Sequence, residues 1–135
     1  MTKNEHEIVI NCPIERAFQF VTDLETWPQW HGGAVEKLTP GPVGVGTVWE
    51  ATAHGQDRPM VVTVEVTRYE LDRRFGITHT SGATQVQQIF DFVPVTGGTR
   101  LGMALSLSDL KLAQPAQEQW DNDLTRLKQL LEAQG

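Results

Sequence analysis

Apolar residues change their spacing along this chain, and each change predicts a new kind of element. From Glu7 to Asn11 they alternate, with Ile8 and Ile10 on one side, which predicts a strand. Ile14, Ala17, Phe18 and Val21 then follow helical spacing. Pro13 suits the first helical position, where no intrahelical N–H is needed, and Glu15 lies near the positive end of the helix dipole. Asp23 can cap a second short turn, Leu24–Trp27, which Pro28 limits. The period then falls to two. Ala34–Thr39 reads weakly as a strand, followed by Thr47–His54, Met60–Tyr69, Arg74–Thr80, Thr84–Val93 and Thr99–Leu107. Turn signals separate them at residues 55–57, 70–72, 81–82 and 97–98. Short strands joined by tight turns make an antiparallel meander. Pro115 opens a last helix, about Pro115–Ala133, whose apolar face is Trp120, Leu124, Leu127 and Leu131, widened by Leu130. The order is strand, two short helices, six strands, long helix. It describes one α+β domain over residues 1–135, and the Pro/Gly-rich stretch 39–46 is read as a loop within it.

The hairpins fix which side chains share a face. A two-residue turn at Gly97-Gly98 pairs Pro94 with Leu101, Phe92 with Met103, Phe90 with Leu105 and Gln88 with Leu107. That face is almost wholly apolar, so it is assigned to the long helix. On the preceding strands the matching sets are Phe75, Ile77 and His79; Val62, Val64 and Val66, ending in Arg68; and Trp49, Ala51 and Ala53. The predicted lining is therefore Trp49, Val62, Val64, Phe75, Ile77, His79, Gln88, Phe90, Met103 and Leu105, lidded by Trp120 and Leu124. Plain core packing is the competing role for each of them. The polar exceptions are His79, Gln88 and Arg68. His79 is the candidate acid/base or ligand hydrogen-bonding group, against a histidine satisfied by backbone or water. Gln88, if buried, needs a partner. Arg68 either snorkels to the rim or pairs with an anionic head group. Trp27 and Trp30 either gate the pocket or plug the junction of short helices and sheet.

Three segments carry a resemblance: IVINCPIERAFQFVTDLETWPQW at 8–30, FDFVPVTGGTRL at 90–101 and QWDNDLTRLKQLLE at 119–132. Together with the element order they resemble the START-like (SRPBCC) superfamily, which also includes the birch pollen allergen family, and within it the polyketide cyclase/dehydrase and lipid-transport branch. The resemblance implies a helix-grip fold: a seven-stranded antiparallel curved sheet wrapped on a long C-terminal helix, with two short helices after the first strand. It also implies a cup for an apolar ligand. It brings no shared catalytic motif. Two features depart from the branch's pattern: Cys12 stands where a small apolar residue is usual, and only the short connection Ser108–Gln114 precedes the last helix, where the cyclases carry extra length.

Charge and cysteine content narrow the partners. With 11 basic against 17 acidic residues the net charge is −6, which argues against nucleic acid and against an anionic membrane surface. The lone Cys12 excludes an internal disulfide and fits a reducing compartment. No run approaches membrane-spanning length and no signal-peptide core opens the chain, so a cytoplasmic protein without membrane insertion is expected. His6, His31 and His54 lie apart, in loops or at strand ends, and show no metal-ligand spacing; neither metal nor cofactor is expected. Residues 41–46 lack the glycine spacing of a phosphate-binding loop, and Thr80-Ser81-Gly82 leads into no helix, as a nucleophile elbow would. The leading expectation is a protein that binds a small hydrophobic or aromatic molecule. The alternative is a cyclase, aromatase or dehydratase acting on a polyketide-like substrate with His79 as acid/base. A protein-interaction module has no support beyond the acidic surface. Oligomeric state is left open, a homodimer included.

Overall fold

The computed structural model describes residues 2–54, 59–82, 84–107 and 113–134. The elements run β1 (Thr2–Ile10), α1 (Ile14–Thr22), a 3₁₀ turn (Leu24–Thr26), α2 (Trp27–Trp30), β2 (Ala34–Lys37), β3 (Val48–His54), β4 (Pro59–Glu70), β5 (Arg74–Ser81), β6 (Thr84–Val95), β7 (Gly98–Leu107) and α3 (Ala113–Gln134). The strands form a 7-stranded antiparallel sheet in the order β1-β7-β6-β5-β4-β3-β2. This is the helix-grip arrangement: one curved sheet, two short helices between its edge strands, and a long C-terminal helix on its inner face.

Local chemistry moves several boundaries. Pro13 is the cap residue of α1, not its first helical residue, with an extended ψ of 147°. Pro28 does not end the second turn but sits inside α2, close enough to its start that its missing N–H leaves no bond unmade. Pro115 likewise lies in the first turn of α3, which begins at Ala113. The Asp23 side chain accepts from the Glu25 N–H at 3.1 Å and starts the 3₁₀ turn as expected. The turn signal at 55–57 lies outside the described residues.

The β6–β7 hairpin corrects one expected register. Its turn is Thr96-Gly97, not Gly97-Gly98, and Val95 pairs with Gly98. Phe92 therefore faces Leu101, Phe90 faces Met103, Gln88 faces Leu105 and Val86 faces Leu107. Gly97 supplies the positive φ, 83°, that the turn requires. Gly98 is glycine for a different reason: a Cβ there would run into the backbone of Ile10 and Asn11, where β1 ends. Because the shift is two residues, the period-2 parity survives and the same side chains point inward.

α3 lies along β1 and against α2. Among the described residues five polar contacts hold it. The Lys128 ammonium donates to the Val9 carbonyl at 2.8 Å. His6 bonds Asp121 at 2.7 Å, His31 bonds Asp123 at 2.7 Å, the Arg16 guanidinium donates to the Leu131 carbonyl at 2.5 Å, and the Asn11 N–H donates to Glu132 at 2.9 Å. Under it, Leu124, Leu127 and Leu131 join Ile10, Phe18, Phe75, Phe90, Leu101, Met103 and Leu105 in one buried cluster. α1 closes the end of that cluster: Phe18 meets Phe92 and Tyr69 edge-on at centroid separations of 5.1 and 5.4 Å. No helix among the described residues is long and apolar enough to cross a membrane.

Candidate functional site

α3 covers the β1 side of the inner face and leaves the β3–β4 side to a shorter lid. That lid is the 3₁₀ turn and α2, with the edge strand β2 closing the side. Beneath it lies a cavity of about 350 Å³, within the range of small-molecule sites. Leu24, Trp27, Val35, Ala51, Val62 and Val64 give it apolar walls. His31, His79, Thr52 and Gln119 supply polar groups. Gly32 and Gly33, at φ 91° and 78°, turn the chain from α2 into β2 at its edge. Two successive residues in this region are readily tolerated only by glycine, so no side chain from that corner fills the space.

The aromatic lid is a contiguous cluster of tilted and edge-on rings with one stacked pair. Trp27 and Trp30 lie 4.9 Å apart, and Trp120 of α3 meets them at 5.9 and 6.0 Å. His31 lies flat on Trp120, 4.5 Å between centroids and 13° between planes. The Trp27 indole N–H donates to the Val21 carbonyl at 2.9 Å, which fixes the ring that forms one wall. Trp27 thus both plugs the junction and lines the cavity, whereas Trp30 is fully buried.

The cavity's two histidines are held differently. The Nδ1 of His31 bonds the buried carboxylate of Asp123 on α3 at 2.7 Å. A carboxylate accepts only, so Nδ1 carries the proton and Nε2 is left with a lone pair in the neutral ring. His79 uses Nε2 to meet the Gln88 side chain at 2.8 Å. Burial pushes the pKa of His79 down to about 4, further lowered by His31 and only partly restored by the Gln88 bond. At neutral pH His79 is therefore uncharged. Gln88 is fully buried, and its side-chain nitrogen has no partner among the described residues.

Of the side chains expected to line a cup, Val62, Val64 and His79 border the cavity. Trp49, Phe75, Ile77, Phe90, Met103, Leu105, Trp120 and Leu124 are buried and fill the rest of the inner face with core. Gln88 lies buried as the partner of His79. Arg68 corrects the parity on β4. A β-bulge between Val66 and Arg68 lets Val66 pair with Ile77 while Arg68 pairs with Gly76. The extra residue flips the strand. Tyr69 then turns inward against Phe18 and Phe75, and Arg68 turns outward, half-exposed, 3.9 Å from Glu70. His31 and Asp123 were not among the expected site residues. One signal for Asp123 was present: it lies three residues after Trp120 and four before Leu127, on the apolar face of the helix. Its pairing with His31, across 92 residues of chain, left none. No group of three or more His, Cys, Asp or Glu among the described residues could hold a metal ion.

A family model described as polyketide cyclase / dehydrase and lipid transport matches residues 1–132. Among solved structures, protein MLL2253 from Mesorhizobium loti is similar with a TM-score of 0.85 and 20% identity, covering 99% of each chain. CalU16 from Micromonospora echinospora is similar at 0.74 and 15% identity, over 96% of this chain and 75% of that one. DynU16, whose description places it in the dynemicin biosynthetic locus, is similar at 0.77 and 17% identity; 96% of this chain spans 47% of that one. Likeness at these identities concerns the fold. No curated protein matches the sequence.

Proposed function

The chain belongs to the polyketide cyclase / dehydrase and lipid transport family, and from that premise we propose that it binds one small hydrophobic or aromatic molecule in the cavity beneath α2 and beside β2. The observation that carries this reading is the cavity itself: about 350 Å³ bounded by Trp27, Val35, Val62 and Val64, with His31 and His79 on its wall. Apolar walls with a few placed polar groups suit a compact ring system bearing one or two hydrogen-bonding atoms. The volume does not suit a long acyl chain. Affinity in the micromolar class is expected, since the buried ligand area contributes about 25 cal/mol per Å² before association costs are subtracted.

Titration with N-phenyl-1-naphthylamine, an apolar fluorescent ring compound, tests the proposal. One-to-one binding is expected, and Val62→Trp, which puts a large ring into the cavity from a half-buried wall position, should abolish it while the fold persists. Binding that survives Val62→Trp unchanged means that the probe sits elsewhere. Native mass spectrometry of protein from its own host, searching for a retained small molecule, would name the class directly.

A second reading, acid–base chemistry of the cyclase or dehydratase type, has one observation in its favour. The cavity carries two imidazoles, and one of them has a carboxylate partner. His79 does not suit the acid role in it: a histidine with a pKa of about 4 has no imidazolium proton to give at neutral pH.

A further inference from the structure

Resting on the reading that the cavity holds a small ligand, we propose that the site transfers protons, with His31 as the proton-carrying group, Asp123 as its positioning residue, and a compact ketone with an acidic C–H bond as the substrate class. The geometry has three parts. First, His31 borders the cavity and is locked in place twice, by its Nδ1–H bond to Asp123 at 2.7 Å and by its stack on Trp120 at 4.5 Å. Second, that bond assigns the tautomer and leaves the Nε2 lone pair as the free basic atom of the ring. Third, His79 of β5 borders the same cavity, with its Nε2 edge committed to Gln88. Trp27 neighbours both, 5.5 Å from His31 and 6.3 Å from His79 by ring centroids. A flat ligand against Trp27 would lie near both imidazoles, the basic ring of His31 and the uncharged ring of His79.

The step balances without an added reagent. The His31 Nε2 lone pair takes a proton from the carbon next to the carbonyl. The C–H bond breaks, an N–H bond forms, and the electron pair moves onto the carbonyl oxygen as an enolate. The imidazolium, facing the Asp123 carboxylate through its other nitrogen, then returns the proton to the same carbon, to oxygen or to a conjugated carbon. Nothing is oxidised or reduced. Return to the same carbon gives hydrogen exchange with solvent; return elsewhere gives isomerisation.

The test uses 2-tetralone, a bicyclic ketone with acidic C–H bonds, in deuterated buffer. Proton NMR follows loss of the signals next to the carbonyl, and displacement of N-phenyl-1-naphthylamine measures binding. General acid–base catalysis contributes about 10²- to 10⁴-fold, so the wild-type protein should exchange the ketone at least about a hundredfold faster than an equal concentration of free imidazole, and His31→Asn should lose that advantage while still displacing the probe. His31→Gln serves if the Asn variant does not fold. Asp123→Asn should slow exchange roughly tenfold or more at unchanged binding; a merely structural Asp123 would lower both together. If wild type binds 2-tetralone but exchanges it no faster than imidazole, or if His31→Asn and His31→Gln exchange it as fast as wild type, the proposal falls and the binding reading stands. If the fluorescent probe binds but 2-tetralone does not, the substrate class is wrong. Failure to bind either compound removes the binding reading and this inference with it.

Discussion

At the β5–β7 end of the inner sheet face, Phe75, Phe90, Met103 and Leu105 pack solidly beneath α3; at the β3–β4 end, Val62 and Val64 border open space. Both ends have the same alternation of apolar and polar residues, and both point their apolar set inward. What differs is the cover. α3 runs along β1 and lays a continuous leucine face on one half. The other half is covered by α2, which has 4 residues, and ends in the short edge strand β2, also of 4. Two positive-φ glycines join them, and their corner has no side chain to drop into the gap. A cavity arises where an inward-facing apolar surface meets a lid too short to fill it. The lesson is that periodicity determines the face, while the length of the covering element determines whether that face becomes core or pocket.

The largest expected effect lies on the solid side. Trp120 is nearly fully buried and touches Trp27, Trp30, His31 and Phe90. Trp120→Ala should cost about 3–5 kcal/mol, from lost burial plus the void left behind. Val62→Ala, on the hollow side, should cost about 1 kcal/mol or less, because its neighbours on one side are already missing. Urea melts of the two variants measure the contrast directly. Equal losses would mean that the two halves are packed alike.

His79 sits at the boundary and makes the comparison depend on pH. Its folded pKa of about 4 lies below the usual 6.5. Protonation therefore favours the unfolded chain. The stability linked to His79 is complete above about pH 6.5, declines as pH falls toward 4, and is level below that. The loss across this window is at most about 3 kcal/mol, less if water enters the cavity. His79→Gln should remove this component, so the difference between wild type and variant in urea melts at pH 7.5 and 4.5 isolates it. A variant that loses as much stability as wild type over that interval would show that His79 is well solvated.

Gly98 probes how the solid half is pinned to β1. Gly98→Ala would push a methyl group into the backbone of Ile10 and should destabilise by about 1–3 kcal/mol. Gly97→Ala strains only the turn, at a φ of 83° with open space around it, and should cost about 1 kcal/mol. A larger loss at Gly97 than at Gly98 would restore the Gly97-Gly98 turn.

These glycines also show how far the sequence could be read. Element order, sheet membership and the inward set on β5, β6 and β7 were legible, because a period of two is insensitive to a two-residue register error: Phe90 points inward whether it faces Leu105 or Met103. A one-residue event is fatal to the same logic, and the bulge after Val66 is one, invisible in the composition of β4. The site was less legible for a second reason. The expected lining came from the strands, with Trp120 and Leu124 of the last helix as its lid, whereas Leu24, Trp27 and His31 reach the cavity from the 3₁₀ turn and α2, and Gln119 from α3. His31 read as a loop residue because its meaning depends on Asp123, and that contact exists only once α2 and α3 have packed.

The bulge gives the smallest expected effect. It stands between Val62 and Val64 on the hollow side and Tyr69 on the solid side, and it is where β4 trades one inward partner set for another. With the bulge in place, Arg68 is an outer-face residue. Its ion pair with Glu70 is long, 3.9 Å, and both side chains are well exposed, so Arg68→Ala should change stability by no more than about 0.5 kcal/mol. It should also leave ligand binding alone, even for an anionic compound, because the guanidinium and the cavity lie on opposite faces of the sheet. 1-Anilinonaphthalene-8-sulfonate, which joins an apolar ring system to a sulfonate, makes the comparison sharp. Equal affinity for wild type and Arg68→Ala is expected. A clear loss on Arg68→Ala would put the guanidinium inside the cup, erase the bulge, and turn Tyr69 back toward solvent; the solid half would then lose its Phe18–Tyr69–Phe75 packing, and the boundary between the two halves would have to be redrawn.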